Sequence, residues 1–231
     1  MTIPRWLALA AAAFLPAACS GPKVELRSAV VPSLAAELAL DRGLTDVRTF
    51  IPDVAVDLRY ATKYNIARQP LYPPDMPCLL KASTAVKLKK AQALLREKGL
   101  GLRIWDAWRP PEVQLLLVER EGNTGLFMDP KSSWSRHCSG TAVDVTLVNK
   151  KGVEQKLPTY HDEGGEKASY RYSGRDHQVR RNLYLLQCAM IDAGFFILDT
   201  EWWHFDDMDY YYSPAPIVFG HEVGIRISST E

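Results

Sequence analysis

The stretch "SSWSRHCSGTAVDVTLV", from Ser132 to Val148, passes from a polar loop into a run of β-branched and other apolar residues. Its second part, 141–148, is typical of a strand, because β-branched side chains pack well on a pleated surface. The small residues at 138–140 predict a turn at the mouth of this strand. His137 and Asp144 lie on either side of the turn, so the stretch is either a turn that enters a buried strand or a pair of metal ligands.

Asp144 needs a compensating partner under both interpretations. Its neighbours in "AVDVTLV" are apolar enough to predict burial on both faces of the strand. A buried carboxylate is costly unless hydrogen-bond donors or a metal ion compensate its charge. Donation from backbone or hydroxyl groups meets this need as a metal ion does, so Asp144 alone leaves both interpretations open.

The segments on either side predict an α+β fold. Alternating or apolar runs predict strands over 54–60, 102–108, 141–148, 153–157 and 201–206. Capping residues and apolar periodicity predict helices from Ser83 to Gly99, from Pro110 to Glu121 and from His177 to Gly194. We therefore expect a mostly antiparallel central sheet with helices packed on it. Loops over 61–80, 122–136 and 158–176 connect these elements.

The composition indicates a globular protein that does not bind nucleic acid. The 231 residues suit one domain or at most two, and 47% of them are hydrophobic, which is enough for a core. The net charge is +1 and no basic block is present. Binding to phosphate backbones needs clustered Lys and Arg, so a nucleic-acid partner is excluded.

The N-terminus resembles an export signal. Arg5 precedes the apolar run 6–18, which is shorter than the roughly 20 residues of a spanning helix. The run ends in "LPAACSG", which resembles the cleavage box of a bacterial lipoprotein with Cys19 as the lipidated residue. We expect a signal peptide over 1–18, a tether over 19–45 and one domain over 46–231. An ordinary signal peptide cleaved nearby is the alternative.

Export places the chain in an oxidising compartment, where disulfides persist. Under the lipoprotein interpretation the protein is periplasmic, and its one membrane contact is the lipid on Cys19. The three remaining cysteines, Cys78, Cys138 and Cys188, permit one disulfide and leave one thiol free. The sequence does not identify the pair.

The segment "EWWHFD" supplies a second group of candidate site residues. Glu201 and His204 are separated by two tryptophans, and the aromatic content favours a strand over a helix. On a strand these two side chains point in opposite directions. We therefore expect Glu201 at the bend before the strand, His204 directed inward, and Trp202 and Trp203 in the core.

Taken together, His137, Asp144 and His204 match the three protein ligands of a catalytic zinc ion, whose fourth position stays open for water. Such a water becomes acidic and acts as the nucleophile. Glu201 is the candidate to take up its proton and pass it to a leaving amine. Arg109, at the end of a predicted strand, is the candidate to stabilise the oxyanion, or else a surface arginine at a helix start.

Three motifs in order identify a family resemblance. "SRHCSGTAVD" resembles the S-x-H-x-x-G-x-A-x-D signature of the zinc D-alanyl-D-alanine dipeptidases and their D,D-carboxypeptidase relatives. "IWDAWRP" and "GFFILDTEWWHFD" are similar to two further segments of that family, and the resemblance covers roughly residues 45–210. "VDLRYAT" and "EWWH" favour the dipeptidase branch.

The resemblance implies one zinc ion per chain, bound by His137, Asp144 and His204. It further implies Glu201 as the base and Arg109 as the transition-state residue. Two residues are implied for the substrate-binding set. They are Ser135, in contact with the substrate, and Asp106, which orients Arg109 or its neighbours.

Other residues near these motifs are assigned by position. Cys138 departs from the polar residue expected beside the first ligand, but adjacent side chains point apart, so we expect it not to bind the metal. The loop 158–176 is long enough to form a wall of the site. Its Asp162 or Glu163 is predicted to bind the ammonium group of a dipeptide. His161 is a candidate for the border of the site, and His177 and His221 are expected at the surface.

The predicted activity is hydrolysis of D-alanyl-D-alanine, a small dipeptide, to two D-alanines. One alternative is a D,D-carboxypeptidase that trims peptidoglycan stem peptides. A second is a non-catalytic peptidoglycan-binding lipoprotein, against which the retained base Glu201 argues. Because the chain is predicted to be exported, the dipeptidase would serve scavenging or cell-wall turnover.

Overall fold

A five-stranded sheet forms the middle of the fold in a computed structural model that describes residues 34–121 and 125–227. Its strand order is β2-β4-β5-β7-β6. The strands are β2 (Ala55–Val56), β4 (Leu100–Asp106), β5 (Ala142–Asn149), β6 (Phe195–Ile197) and β7 (His204–Asp207). Only the β2–β4 pair is parallel, so the predicted α+β fold with a mostly antiparallel sheet is confirmed.

Helices pack on this sheet as the sequence predicted. The described residues form α1 (Leu34–Asp41), α2 (Val47–Phe50), α3 (Ala82–Glu97), α4 (Pro111–Glu121) and α5 (His177–Ala193). The long helices α3 and α5 pack against each other and against strands of the sheet. Each of the three predicted helices ends within two residues of its prediction, and Gly194 closes α5 with φ of 100°.

A smaller, two-stranded sheet was not predicted. Strand β1 (Leu44–Asp46) pairs antiparallel with β3 (Leu79–Lys81), and α1 packs beside β1. The folded part of the chain therefore includes residues from 34 onward, within the segment expected to be a lead-in. The predicted signal peptide and Cys19 lie outside the described residues.

Three predicted strands differ from the observed ones. The strand over 54–60 shortens to β2 and gives way to a 3-10 helix at Arg59–Ala61, because the carbonyl of Tyr60 accepts hydrogen bonds from two amides of the following loop. The strand over 153–157 reduces to a single bridge between Val148 and Glu154. The strand over 201–206 begins only at His204, since 202–203 form a turn.

Two smaller predictions also changed. Ser83 does not cap α3, which begins one residue earlier; its hydroxyl instead bonds the hydroxyl of Tyr210 at 2.9 Å. Cys78, Cys138 and Cys188 are all free thiols. Burial raises the pKa of Cys138 to about 12, so this thiol stays protonated and unreactive. Within the described ranges, no helix has the length and apolar character needed to cross a membrane.

Candidate metal centre

A short 3-10 helix carries His137 to the mouth of β5. It spans Arg136–Ser139 and is capped by the preceding Ser135, whose hydroxyl accepts a hydrogen bond from the His137 amide at 3.3 Å. It ends at Gly140, which has φ of 70°. A Cβ at Gly140 would lie 2.8 Å from the Leu44 side chain, so the turn requires glycine for both its conformation and its space.

Three ligand atoms converge at this end of the sheet. The Nε2 of His137 and the Nδ1 of His204 lie 3.1 Å apart. Asp144 Oδ1 lies 3.3 Å from the first nitrogen and 3.1 Å from the second. All three residues are buried, and they are the group of possible metal ligands found in the described part of the chain.

The hydrogen bonds behind the two rings decide which nitrogens face the centre. His137 Nδ1 lies 2.7 Å from the carbonyl of Ala107, and His204 Nε2 lies 2.9 Å from a carboxylate oxygen of Asp206. Both of these oxygens only accept hydrogen bonds, so both nitrogens carry the proton. In the neutral rings the opposite nitrogens therefore present lone pairs toward each other and toward Asp144.

This donor set fits a cation. A tetrahedral zinc ion with bonds of about 2.0–2.1 Å has ligand atoms about 3.3 Å apart, close to the three distances observed. The charges agree: burial would raise the pKa of Asp144, but His137 and the other two histidines lower it well below its usual range. Burial would lower the pKa of His204, but the Asp206 and Asp144 carboxylates raise it well above its usual range. The first shift keeps Asp144 in its negatively charged form, and the second shows that the surroundings of His204 favour positive charge.

Asp144 is also held from behind by His161. The Nε2 of His161 lies 3.0 Å from Asp144 Oδ2, the oxygen that faces away from His137 and His204. The His161 side chain is buried. Burial lowers its pKa, but the Asp162 carboxylate and Asp144 raise it above the ordinary value. The sequence placed His161 at the border of the site, whereas the structure places it against Asp144, a candidate metal ligand.

Glu201 lies in the turn before β7 and faces the same centre. Its Oε2 is 4.0 Å from His204 Nδ1, and its carbonyl accepts the His204 amide at 3.2 Å. The neighbours Trp202 and Trp203 are fully buried, as expected, and fix this turn. Burial raises the pKa of Glu201 to about 7, where a carboxyl group can both accept and donate a proton near neutral pH.

Arg109 is buried, not a surface residue at a helix start. Its Nε and Nη2 donate to Asp106 Oδ2 at 2.9 and 2.8 Å, and its Nη1 donates to Gln114 at 2.8 Å. Its guanidinium lies 3.9 Å from Asp144 Oδ2 and 4.9 Å from the centre of the Tyr60 ring. Asp106 is fully buried and accepts these hydrogen bonds from Arg109, so it orients the guanidinium.

A cavity of about 590 Å³ opens onto these groups. Of the predicted site residues, it is lined by Arg109, Ser135, His137, Asp144, Asp162, Glu201 and His204. Glu163 is exposed and accepts a hydrogen bond from the amide of Tyr160, so it lies outside this cavity. Asp162 instead accepts the Tyr60 hydroxyl at 2.9 Å and reaches the cavity wall.

The other histidines and Cys138 lie apart from the centre. Cys138 is buried and does not belong to the ligand group. His177 contacts Arg180 at the start of α5, and the side chain of His221 is 76% exposed. Sequence reasoning missed Asp206, although it lies two residues after His204 on a strand, on the same face, where a partner of that ring is expected.

Most of the chain is similar to known peptidases. Residues 41–219 match the peptidase M15 family described as D-ala-D-ala dipeptidase. The chain is 31% identical over 163 residues to the D-alanyl-D-alanine dipeptidase of Escherichia coli (strain K12), covering 71% of this chain and 83% of that protein. It is 25% identical over 185 residues to the D-alanyl-D-alanine dipeptidase of Enterococcus faecium, covering 72% and 92%.

Proposed function

This chain belongs to the D-Ala-D-Ala dipeptidase family of metallopeptidases, and from that membership we propose that it cleaves free D-alanyl-D-alanine into two D-alanines with a zinc ion. The observation that carries the proposal is the convergence of His137, Asp144 and His204 beside Glu201 on one cavity. A binding protein would need the cavity but would have no use for a buried carboxyl group with a pKa near neutrality.

Zinc is the metal that this donor set favours. Two imidazole nitrogens and one carboxylate oxygen, with one side open to a cavity, match the ligands of catalytic zinc sites. When bound, the ion polarises the amide carbonyl and makes a water more acidic. His137, Asp144 and His204 would hold it, and Asp206 and Ala107 keep the two imidazoles in the required tautomers.

Glu201 serves as the base and then as the acid. It accepts a proton from the attacking water while the water oxygen bonds to the carbonyl carbon of the dipeptide. It then donates that proton to the leaving nitrogen as the carbon–nitrogen bond breaks. Its buried position, 4.0 Å from His204 Nδ1, supports this role.

Arg109 stabilises the negative charge that develops on the carbonyl oxygen. Asp106 and Gln114 hold its guanidinium through three hydrogen bonds, so little reorganisation is needed during the reaction. Ser135, on the cavity wall before the 3-10 helix, is positioned to contact the substrate.

Asp162 is the better of the two candidates for the ammonium group. It lines the cavity, and its side chain is only 7% exposed, whereas Glu163 is exposed outside the cavity. The Tyr60 hydroxyl donates a hydrogen bond to the Asp162 carboxylate and holds it in place. The backbone of Asp162 itself has φ of 59°. A buried carboxylate at one end of the site favours a substrate with a free N-terminus.

Turnover of the dipeptide by metal-stripped and reconstituted protein tests the proposal. We expect chelation to abolish release of D-alanine and one equivalent of Zn²⁺ to restore it, with L-alanyl-L-alanine as the control substrate. Cleavage of a stem pentapeptide as fast as the dipeptide would favour the D,D-carboxypeptidase alternative. Dipeptide binding without turnover would favour the non-catalytic peptidoglycan-binding protein.

Export to the periplasm is part of the proposal and rests on the N-terminal sequence alone. The apolar run 6–18 before Cys19 supports a signal peptide with a lipid anchor. The activity would then serve scavenging or cell-wall turnover. We expect the protein in the membrane fraction and its Cys19→Ala variant outside it; dipeptidase activity confined to the cytoplasm would contradict export.

A further inference from the structure

His161 is a buried histidine beside the metal centre that belongs neither to the candidate ligands nor to the cavity wall. Its side chain is 2% exposed, and its Nε2 lies 3.0 Å from Asp144 Oδ2. Its other nitrogen, Nδ1, lies 3.4 Å from Asp162 Oδ2 but makes no hydrogen bond with the described residues. The one hydrogen bond that this ring makes with the described residues is therefore the bond to the proposed metal ligand Asp144.

Aromatic side chains fix the orientation of the His161 ring. Its centre lies 5.6 Å from that of Tyr60, 5.5 Å from that of Trp105 and 6.0 Å from that of Trp203. Trp203 and Tyr60 are fully buried and Trp105 nearly so, which leaves the ring little freedom to turn. The donor at Nε2 therefore points at Asp144 before any metal binds.

This hydrogen bond selects which oxygen of Asp144 meets the metal. A carboxylate only accepts hydrogen bonds, so Nε2 carries the proton and occupies Oδ2. Oδ1 is left facing His137 Nε2 at 3.3 Å and His204 Nδ1 at 3.1 Å. Without the donor, only the Arg109 guanidinium, at 3.9 Å, would remain near Oδ2, and the carboxylate could rotate about its χ2 bond and lose this alignment.

We propose that His161 is a positioning residue, which holds Asp144 in its metal-binding orientation through the Nε2 hydrogen bond. The proposal deepens the proposed function and rests on its metal site, but not on its substrate. Loss of an outer-shell partner of this kind typically lowers metal affinity by about 10–100-fold.

Zn²⁺ affinity of the metal-free protein tests this directly, by competition with a chromogenic chelator. His161→Leu removes the donor, and we expect Zn²⁺ affinity to fall by about 10-fold or more. His161→Gln places an amide N–H at about the reach of Nε2, and we expect affinity within about threefold of the parent. His221→Gln, on an exposed histidine, is the matched control and should change nothing.

A third variant keeps the test decisive if the His161→Leu protein misfolds. His161→Asn carries the same amide as His161→Gln on a side chain one carbon shorter, so it does not reach Asp144 and should lose about 10-fold affinity like His161→Leu. Co²⁺ absorption reports ligand geometry, and its visible bands should be preserved in His161→Gln and altered in His161→Asn. Equal affinities and equal spectra for these two variants would overturn the proposal. So would parental affinity in a folded His161→Leu protein. Because neither readout uses the dipeptide, a failed dipeptidase assay would leave this test intact.

Discussion

Each atom that faces the metal centre is selected by a hydrogen bond on the far side of the same residue. Ala107 holds His137, Asp206 holds His204 and His161 holds Asp144. When both rings are neutral, the atoms left over are all acceptors and cannot satisfy one another. A buried acceptor without a partner costs about 1–3 kcal/mol, so the centre gains stability when a cation binds.

Replacement of Glu201 is expected to impair catalysis while metal binding is retained. Glu201→Gln keeps the size of the side chain but removes the group that carries the proton. We expect kcat for D-alanyl-D-alanine to fall by about 10²–10⁴-fold, with one Zn²⁺ still bound, because the side chain is not a ligand. Metal analysis and turnover on the same sample measure both. Activity within threefold of the parent would make Glu201 structural.

We propose that Asp162 discriminates between substrates with free and with blocked N-termini. We expect the parent protein to prefer D-alanyl-D-alanine over its N-acetylated form by about 10²-fold or more in kcat/KM, because the acyl group leaves the carboxylate unpaired. Asp162→Asn should lose most of this preference. Glu163→Gln, on the exposed neighbour, is the control and should retain it. An equal preference in both variants would remove Asp162 from substrate recognition.

At this scale the sequence predicted the residues that stand in local motifs. His137, Asp144, Glu201 and His204 all lie within two short segments, and the structure brings them together. Partners from distant segments were not predictable, because no local pattern links them. The Tyr60 hydroxyl meets Asp162 from 102 residues away, which only the folded chain reveals.

Among the elements, β5 sets the geometry of the site through its register. Asp144 pairs with Asp106 on β4 and with His204 on β7, so three site residues form a row across three strands. A shift of one residue would turn these side chains to the opposite face. An irregularity in β4 between Ile104 and Asp106 precedes the segment that carries Arg109.

The turn at Gly140 links this register to His137. Gly140→Ala places a Cβ against Leu44 in a left-handed conformation, and we expect a loss of about 1–3 kcal/mol of stability together with weaker Zn²⁺ binding. Gly152→Ala is the matched control, since Gly152 has φ of 76° but nothing within 4 Å of its Cβ. Denaturant unfolding compares the two. Equal losses would show that the close contact with Leu44 has no effect.

Helices were predicted more accurately than strands for a physical reason. The ends of α5 depend on Asp176, which accepts two amide hydrogen bonds at its start, and on Gly194 at its end, and both are local. The extent of a strand depends on partners far along the chain. The predicted strand at 153–157 finds only one bridge to β5, made by hydrogen bonds from the Gln155 amide to the Leu147 carbonyl and from the Asn149 amide to the Val153 carbonyl.

For the whole molecule, a metal ion bound at the candidate centre would join parts of the chain that are distant in sequence. His137 and His204 are 67 residues apart, so the unfolded chain cannot form the same site. Zn²⁺ at 100 times its Kd should stabilise the fold by about 2.7 kcal/mol. For a chain of this size that raises Tm by several degrees. His204→Ala should show no such rise; an equal rise would place the stabilising ion elsewhere.

The aromatic cluster around His161 also makes the metal centre optically visible. Indole rings emit in the ultraviolet, and a bound ion that absorbs or is paramagnetic quenches those nearby. Trp105 and Trp203 pack directly on the ring that holds a metal ligand, and Trp202 contacts both of them. The intrinsic fluorescence of the unlabelled protein therefore reports when such an ion enters its centre.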